Sequence, residues 1–513
     1  MKRAVSAAAA LGALVAAFLV SGAIASHGGP GVKTAKPYFL VGSAPGVVVD
    51  KILSVGDIVP AGDPGVDDDY QMSGIPDGLG AYSPKKSRWD WLHRGGSREF
   101  VAMMNHELGR SFPNNPPGVD TRISRLVIDR ETRSVHQAEY AFTGLEGYER
   151  FCSATLRIVG GKPFYFTGEE AVPMLPAQPP GPIHQGSSIV MDAETGMWRD
   201  TEHFGHLQHE NVVPLRLKQW VFATTDDDFR AGQPAYFYAY IAPTFKGAIT
   251  GREGALHVFV PNPGEEKSNA EVTSKEQVVH GHWVKLSQHP DNENDVTLKA
   301  AATREGAFRF DRMEDAAMMR GKESRIFIAD TGKAPAGTPT AKGRVYQFDF
   351  NWHNPAGGAT MRMILNGDAP DNDDIFNPDN MDASERVLMI QEDRESAFRS
   401  GHNRVMEYRF ADKSLRSVAR VNTPPGTPPT YPNAEPCTGC LPGTWESSGI
   451  IDARDVLGKD WWLLDVQGHN STAPQPGPSL KPNSSTGENG QLLAMYVPGS
   501  QGGGGHHDDD DDD

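Results

Sequence analysis

Short apolar runs closed by acidic residues set the pattern of this chain. Apolar stretches of strand length, bounded by Gly, Pro, Asp and Glu, read as β-strands. Six follow one plan: REFVAMMNHE ends at Glu107, KPFYFTGEE at Glu170, WVFATTDD at Asp227, RIFIAD at Asp330, RVLMIQED at Asp393 and DWWLLD at Asp465. They recur roughly every 60 residues, apart from the longer interval from Asp227 to Asp330, which must carry an insertion. Further strand-like runs fit between them, at 123–129, 188–192, 235–241, 255–260, 345–350 and 404–410. Amphipathic helical periodicity is scarce. A repeated unit of several strands with long loops predicts propeller blades. The expectation is an all-β fold, a six-bladed β-propeller with long inserted loops, forming one domain over residues 26–500. Two β-domains divided within the long interval are the alternative.

A propeller changes the meaning of the acidic strand ends. Corresponding ends of all blades converge on one face of the central channel, so carboxylates would crowd a small volume and repel unless cations neutralise them. Polar turns at strand ends are the ordinary alternative, and they account for one or two cases more readily than for six. His106-Glu107 and His209-Glu210 add further ligand types. The stretch 151–170 adds another donor: Cys152 precedes a Gly160-Gly161 turn, after which an aromatic strand ends at Glu169 and Glu170. A hairpin there could bring the thiol to the carboxylates, a donor set that suits a borderline metal such as iron better than magnesium alone. A buried structural cysteine is the plain alternative. The segment Asp368 to Asp374, followed by Asn377-Pro378-Asp379-Asn380, offers oxygen ligands for calcium but lacks the Gly and distal Glu of an EF-hand loop.

Composition and the chain ends narrow the class. Lys2 and Arg3, an apolar run and Ala23-Ile24-Ala25 make residues 1–25 a predicted secretory signal peptide. A periplasmic or secreted protein is expected, with no membrane span after the signal. The net charge of −17 argues against nucleic acid or an anionic membrane as partner. Six of the negative charges are Asp508 to Asp513, in a Gly/His/Asp tail (501–513) that is expected to be disordered. Of the three cysteines, Cys437 and Cys440 are spaced for a local disulfide. No G-x-S-x-G elbow, P-loop or dinucleotide fingerprint occurs.

The ordered motifs resemble the PhoX-type alkaline phosphatases. They are IPDGLGAY (75–82), NHE (105–107), the Cys152-Ser153 and Gly-Glu-Glu pair of elements, GHLQHE (205–210), TTDD (224–227), FDRMED (310–315), PDN (378–380), IQED (390–393) and GTWESSGIID through WLLDVQGH (443–469). The resemblance implies a six-bladed propeller that binds iron and calcium and hydrolyses phosphomonoesters. It implies metal ligation by Cys152, Glu170, Glu210, Glu314 and Asp393, and phosphate or transition-state contacts from Asn105 and Arg312. Glu169, beside Glu170, and Asp379, in the PDN element, complete the candidate ligand set. Arg312 and Glu314 lie two apart, so in a strand they share a face while Met313 points into the blade. The chain departs from the family at 162–166, Lys-Pro-Phe-Tyr-Phe in place of Thr-Pro-Trp-Gly-Thr, and carries Lys2-Arg3 where a twin-arginine signal is usual. The expected protein is a monomeric, exported, metal-dependent phosphomonoesterase acting on a small phosphate ester. A non-catalytic calcium-stabilised propeller that binds a partner through long Pro-rich loops such as 422–442 is one alternative, and a calcium-dependent lactonase or esterase is another, by fold analogy.

Overall fold

The computed structural model describes residues 31–60, 69–84, 98–109, 120–171, 184, 186–228, 230, 232–332, 340–393, 403–422, 445–469 and 488–502. The predicted signal peptide, Cys437, Cys440 and residues 503–513 lie outside them. The described residues are mostly β, with few and short helices, as the apolar runs predict.

Antiparallel hairpins build four separate sheets of four or five strands, a two-stranded ribbon and one sheet of nine strands. Six strands line the centre: Pro76–Tyr82, Phe151–Val159, His209–Arg216, Met313–Met318, Pro378–Ala383 and Glu446–Asp452. They pack side by side in that order, and the sixth returns to the first. We call them the first to sixth inner strands. The N-terminal segment closes the ring, because Val48–Ser54 pairs with Asn489–Tyr496 as the outer strand of the last sheet.

Six separate blades, the sequence expectation, are not what the sheets form. Four are propeller-like blades; the rest is a nearly closed, barrel-like sheet running from the third inner strand to the fourth. The long interval explains the difference. It supplies an extra strand, Val278–Lys285, that pairs with Ala359–Asn366 and joins two groups of strands along their outer edges. Gly281 permits the approach, since a Cβ there would meet the Phe259 ring. Phe237, Phe259, Trp283, Phe348 and Phe350 fill the space enclosed, with Trp283 and Phe350 stacked at 5.3 Å. Rings of this size bury about 150–250 Å² each, so the cluster is a large part of what holds the joined sheet together.

Candidate metal centre

All six inner strands carry a β-bulge near the start, each time with the extra residue on the inner strand. A bulge breaks strict alternation and re-aims side chains. The residues inside the irregular steps are Asp77-Gly78, Cys152-Ser153, Glu210-Asn211, Glu314-Asp315, Asp379-Asn380 and, in the sixth strand, Gly449. Two consecutive side chains can therefore face the channel, and they form two layers.

The upper layer holds the ligand types. Donor atoms of Asp77, Glu107 and Cys152 lie within 4.8 Å of one another, as do those of Cys152, Glu170 and Glu210, and those of Glu210, Glu314 and Asp379. Cys152 is a free thiol, 3 % exposed, and donates to Glu170 Oε2 at 2.9 Å. Two guanidinium groups counter the acids. Arg150 pairs with Glu107 at 2.6 Å and also with Glu170. Arg312 grips Asp227 through two bonds of 2.9 Å, touches Glu314 and stands 3.6 Å from Asp393.

The lower layer is hydrogen-bonded across the channel. The Asn380 amide donates to Ser153 Oγ at 2.6 Å and Asp77 Oδ1 at 3.2 Å, and Ser448 donates to Asn380 Oδ1 at 3.2 Å. Asp315 accepts from the Asn211 amide at 2.6 Å and the Met381 backbone at 2.8 Å. Inner strands on opposite sides of the channel are thus tied together directly beneath the acids.

Burial dominates the electrostatics. It pushes the carboxyl groups of Asp77, Glu210, Glu314 and Asp379 well above the usual range, and neighbouring carboxylates push them further. Glu170 rises to about 8, again through burial, with Arg150 opposing. The Cys152 thiol rises for the same reason and through Glu107 and Glu170. Burial would lower Arg150 and Arg312, but the surrounding carboxylates outweigh it and hold both charged. Close buried acids of this kind ionise together only beside added positive charge. The donor set fits such cations, because carboxylates suit calcium and one thiolate among them suits a softer metal such as iron.

Most of the sequence-predicted residues converge here. Cys152, Glu170, Glu210, Glu314 and Asp379 share the three trios, with Arg312 and Asp393 beside them. Met313 points into the core, as strand geometry predicts, although the bulge turns Asp315 channelward as well. Glu169 is not brought into the cluster: its carboxylate accepts the backbone N–H groups of Glu149 at 2.8 Å and Gly186 at 2.9 Å. Asn105 is fully buried against Cys152, its amide donating to the Cys152 carbonyl at 2.6 Å and its oxygen accepting from Tyr165 at 2.9 Å. The acidic loop offered for calcium is taken up internally. Asp371 and Asp373 accept from Lys275, Asp374 pairs with Arg404, and Asp368 accepts from the Lys342 backbone. Asp77 and Arg150 were not singled out from the sequence. The signal that could have found Asp77 is the Asp, Cys or Glu near the head of each of the first five inner strands.

No family model and no curated protein matches the chain. Among solved structures it is similar to Pseudomonas fluorescens PhoX in complex with vanadate, a transition state analogue. The TM-score is 0.58 at 13 % identity, covering 92 % of this chain and 99 % of that one. This likeness shows the fold. The parainfluenza virus 5 hemagglutinin-neuraminidase ectodomain follows at 9 % identity and TM-score 0.34, covering 90 % of this chain and 86 % of that one. The β-propeller domain of the Trilobed protease of Pyrococcus furiosus stands at 8 % and 0.29, covering 72 % and 88 %. Both superpositions are too loose to carry an argument.

Proposed function

We propose that the protein is an exported, metal-dependent phosphomonoesterase that works at the buried cluster of its central channel. The observation that carries this reading is Arg312, a partly exposed guanidinium 21 % open to solvent, fixed at the edge of linked carboxylate and thiol donors. Phosphate-ester hydrolysis needs positive charge on the transferring group and an activated oxygen nucleophile. Iron and calcium, held by Cys152, Glu170, Glu210, Glu314, Asp379, Asp77 and Glu107, would supply Lewis acidity and lower the pKa of water there. This chain's own residues do the rest. Nη1 of Arg312 faces Asp393 at 3.6 Å, beyond hydrogen-bond range, which leaves that edge for a phosphate oxygen while Asp227 fixes the other. Arg150 balances Glu107 and Glu170 beside the thiol. Asn105 acts as a positioning residue that holds the Cys152 carbonyl. Asp393 stands at the rim of this site, beyond the trios.

The vanadate complex of the structural neighbour supports phosphoryl chemistry as the reaction class. The ring of six bulged inner strands supports reading the nine-stranded sheet as two blades merged by the inserted strand, hence a six-bladed propeller. In this reading one monomeric domain spans residues 26–500 and export removes residues 1–25. The test is elemental analysis of protein matured in its native host, with a phosphomonoesterase assay on the same sample. Iron and calcium together with hydrolysis are expected. Full loading without hydrolysis overturns the reading, and calcium alone favours a binding propeller.

A further inference from the structure

The geometry points to Lys299, on a helix outside the channel, as the positioning residue that fixes the orientation of Arg312. The inference is structural at its core, and its binding arm rests on the phosphate role proposed for Arg312. The helix Asp295–Glu305 belongs to the insertion between Asp227 and Asp330. It opens on an Asn294–Thr297 capping box and ends at Gly306 in the left-handed conformation, φ 76°. Leu298, Ala301 and Ala302 pack against the aromatic cluster of Tyr236, Tyr238 and Tyr240. Lys299 is buried on this helix as well. Its Nζ donates to Asp226 Oδ2 at 2.6 Å and to the Pro234 carbonyl at 3.0 Å, and stands 2.9 Å from Asp228 Oδ2.

One turn earlier, Asp295 serves the same turn of chain. Residues four apart share a helix face. Arg230 bridges Asp295 to Asp228, bonding Asp295 Oδ2 at 2.6 Å and Asp228 Oδ2 at 2.7 Å. The Asp226–Asp228 segment is thus gripped from behind at both flanking residues. Asp227, between them, faces the channel and takes Arg312 through both oxygens. An aliphatic side chain of similar length would fill the space of Lys299 without desolvating an ammonium group. What the ammonium adds is a fixed geometry for the two aspartates on either side of Asp227. Asp330 holds only the backbone N–H of Arg312, and the other carboxylates at its guanidinium, Glu314 and Asp393, belong to the acid cluster or its rim.

Lys299→Met removes the charge at nearly constant volume. A second variant, Lys299→Met with Asp226→Asn and Asp228→Asn, leaves no unpaired buried carboxylate and decides the matter if the first fails to fold. Both are compared with the metal-loaded parent by crystal structure, elemental analysis and titration with inorganic phosphate. The expected result is loss of the two-bond Asp227–Arg312 geometry with metal content unchanged. Phosphate affinity should weaken about tenfold or more, as misplacement of a binding group by an ångström can do. KM for a phosphomonoester should rise more than kcat falls, and Lys299→Arg should restore most of both. A folded variant that keeps the Asp227–Arg312 pair in place, or binds phosphate within twofold of the parent, overturns the inference. If the parent itself neither binds phosphate nor hydrolyses an ester, the functional reading fails, and the crystal structures still decide the role of Lys299.

Discussion

Arg312→Ala is the substitution that best separates phosphate recognition from metal binding. The side chain makes two 2.9 Å bonds to Asp227, contacts Glu314 and faces Asp393. Its loss therefore exposes three carboxylates to one another, and breaking a buried pair by removing one partner costs about 3–5 kcal/mol of stability. Bound cations would offset part of that loss, so the comparison belongs to the metal-loaded protein. Removing one preorganised donor costs about 2–4 kcal/mol of transition-state stabilisation, or roughly 30- to 1,000-fold in kcat/KM. Arg312→Lys keeps the charge and loses the planar two-point grip on Asp227, so it should fall between parent and Ala. Glu314→Gln is the contrasting control. It removes a donor of the third trio, and metal content should fall with activity. The assay is hydrolysis of a chromogenic phosphomonoester at low and saturating concentrations, on samples of measured metal content. If Arg312→Ala matches the parent at both concentrations with equal metal loading, the phosphate-clamp reasoning is wrong.

Cys152→Ser replaces the one thiol of the cluster. Elemental analysis should show iron falling while calcium persists, and an unchanged iron content would refute ligation by the sulfur. Chelation should lower the melting temperature and added calcium should restore it, since a ligand at 100 times its Kd stabilises the fold by about 2.7 kcal/mol; a chelator-insensitive melt excludes a filled cluster. His469 gives a pH prediction. Burial opposes its protonation, but Glu446 and Glu488 outweigh burial and raise its pKa from 6.5 to about 10. A raised folded-state pKa contributes stability that is complete below pH 6.5 and is lost as pH rises through about 10, by up to about 5 kcal/mol. His469→Gln should flatten that decline in a series of thermal melts, and parallel curves for parent and variant would count against the assignment.

Much of the architecture is legible in the acidic strand ends, for a simple reason. The runs that end at Glu107, Glu170, Asp227, Asp330 and Asp393 are the second strands of successive strand groups, with Asp465 inside another, and apolar burial fixes their spacing. Where each acid points was less legible. Asp330 spends its carboxylate on the backbone of Asp311 and Arg312 and on Asn269, away from the trios. The bulges were invisible because a bulge is a two-against-one pairing, a property of two strands that neither sequence states alone. Strict alternation would place Cys152 and Ser153 on opposite faces, and likewise Glu210 and Asn211; the bulges let both members of each pair reach the channel. The merged sheet escaped notice for a similar reason. Pairing of Val278–Lys285 with Ala359–Asn366 joins segments far apart in the chain, and no local pattern encodes that register.

The linkage among the trios bears on what kind of centre this is. Cys152 belongs to two of them and Glu210 to two, so the donors form a continuous line from Asp77 and Glu107 through Glu170 to Glu314 and Asp379. Cations held there would therefore draw on shared rather than separate donors. The surrounding charges agree with that view. Asp227 and Asp393 join the six carboxylates of the trios, while Arg150 and Arg312 are the guanidinium groups paired with them. Two cationic side chains are too few to neutralise so many close acids were all of them ionised. Asp77, Glu210, Glu314 and Asp379, with Cys152, sit on the bulges of five inner strands, with a hydrogen-bonded polar layer tying the strands together. Holding cations at fixed separations beside Arg312, as the proposed function requires, would call for such a floor.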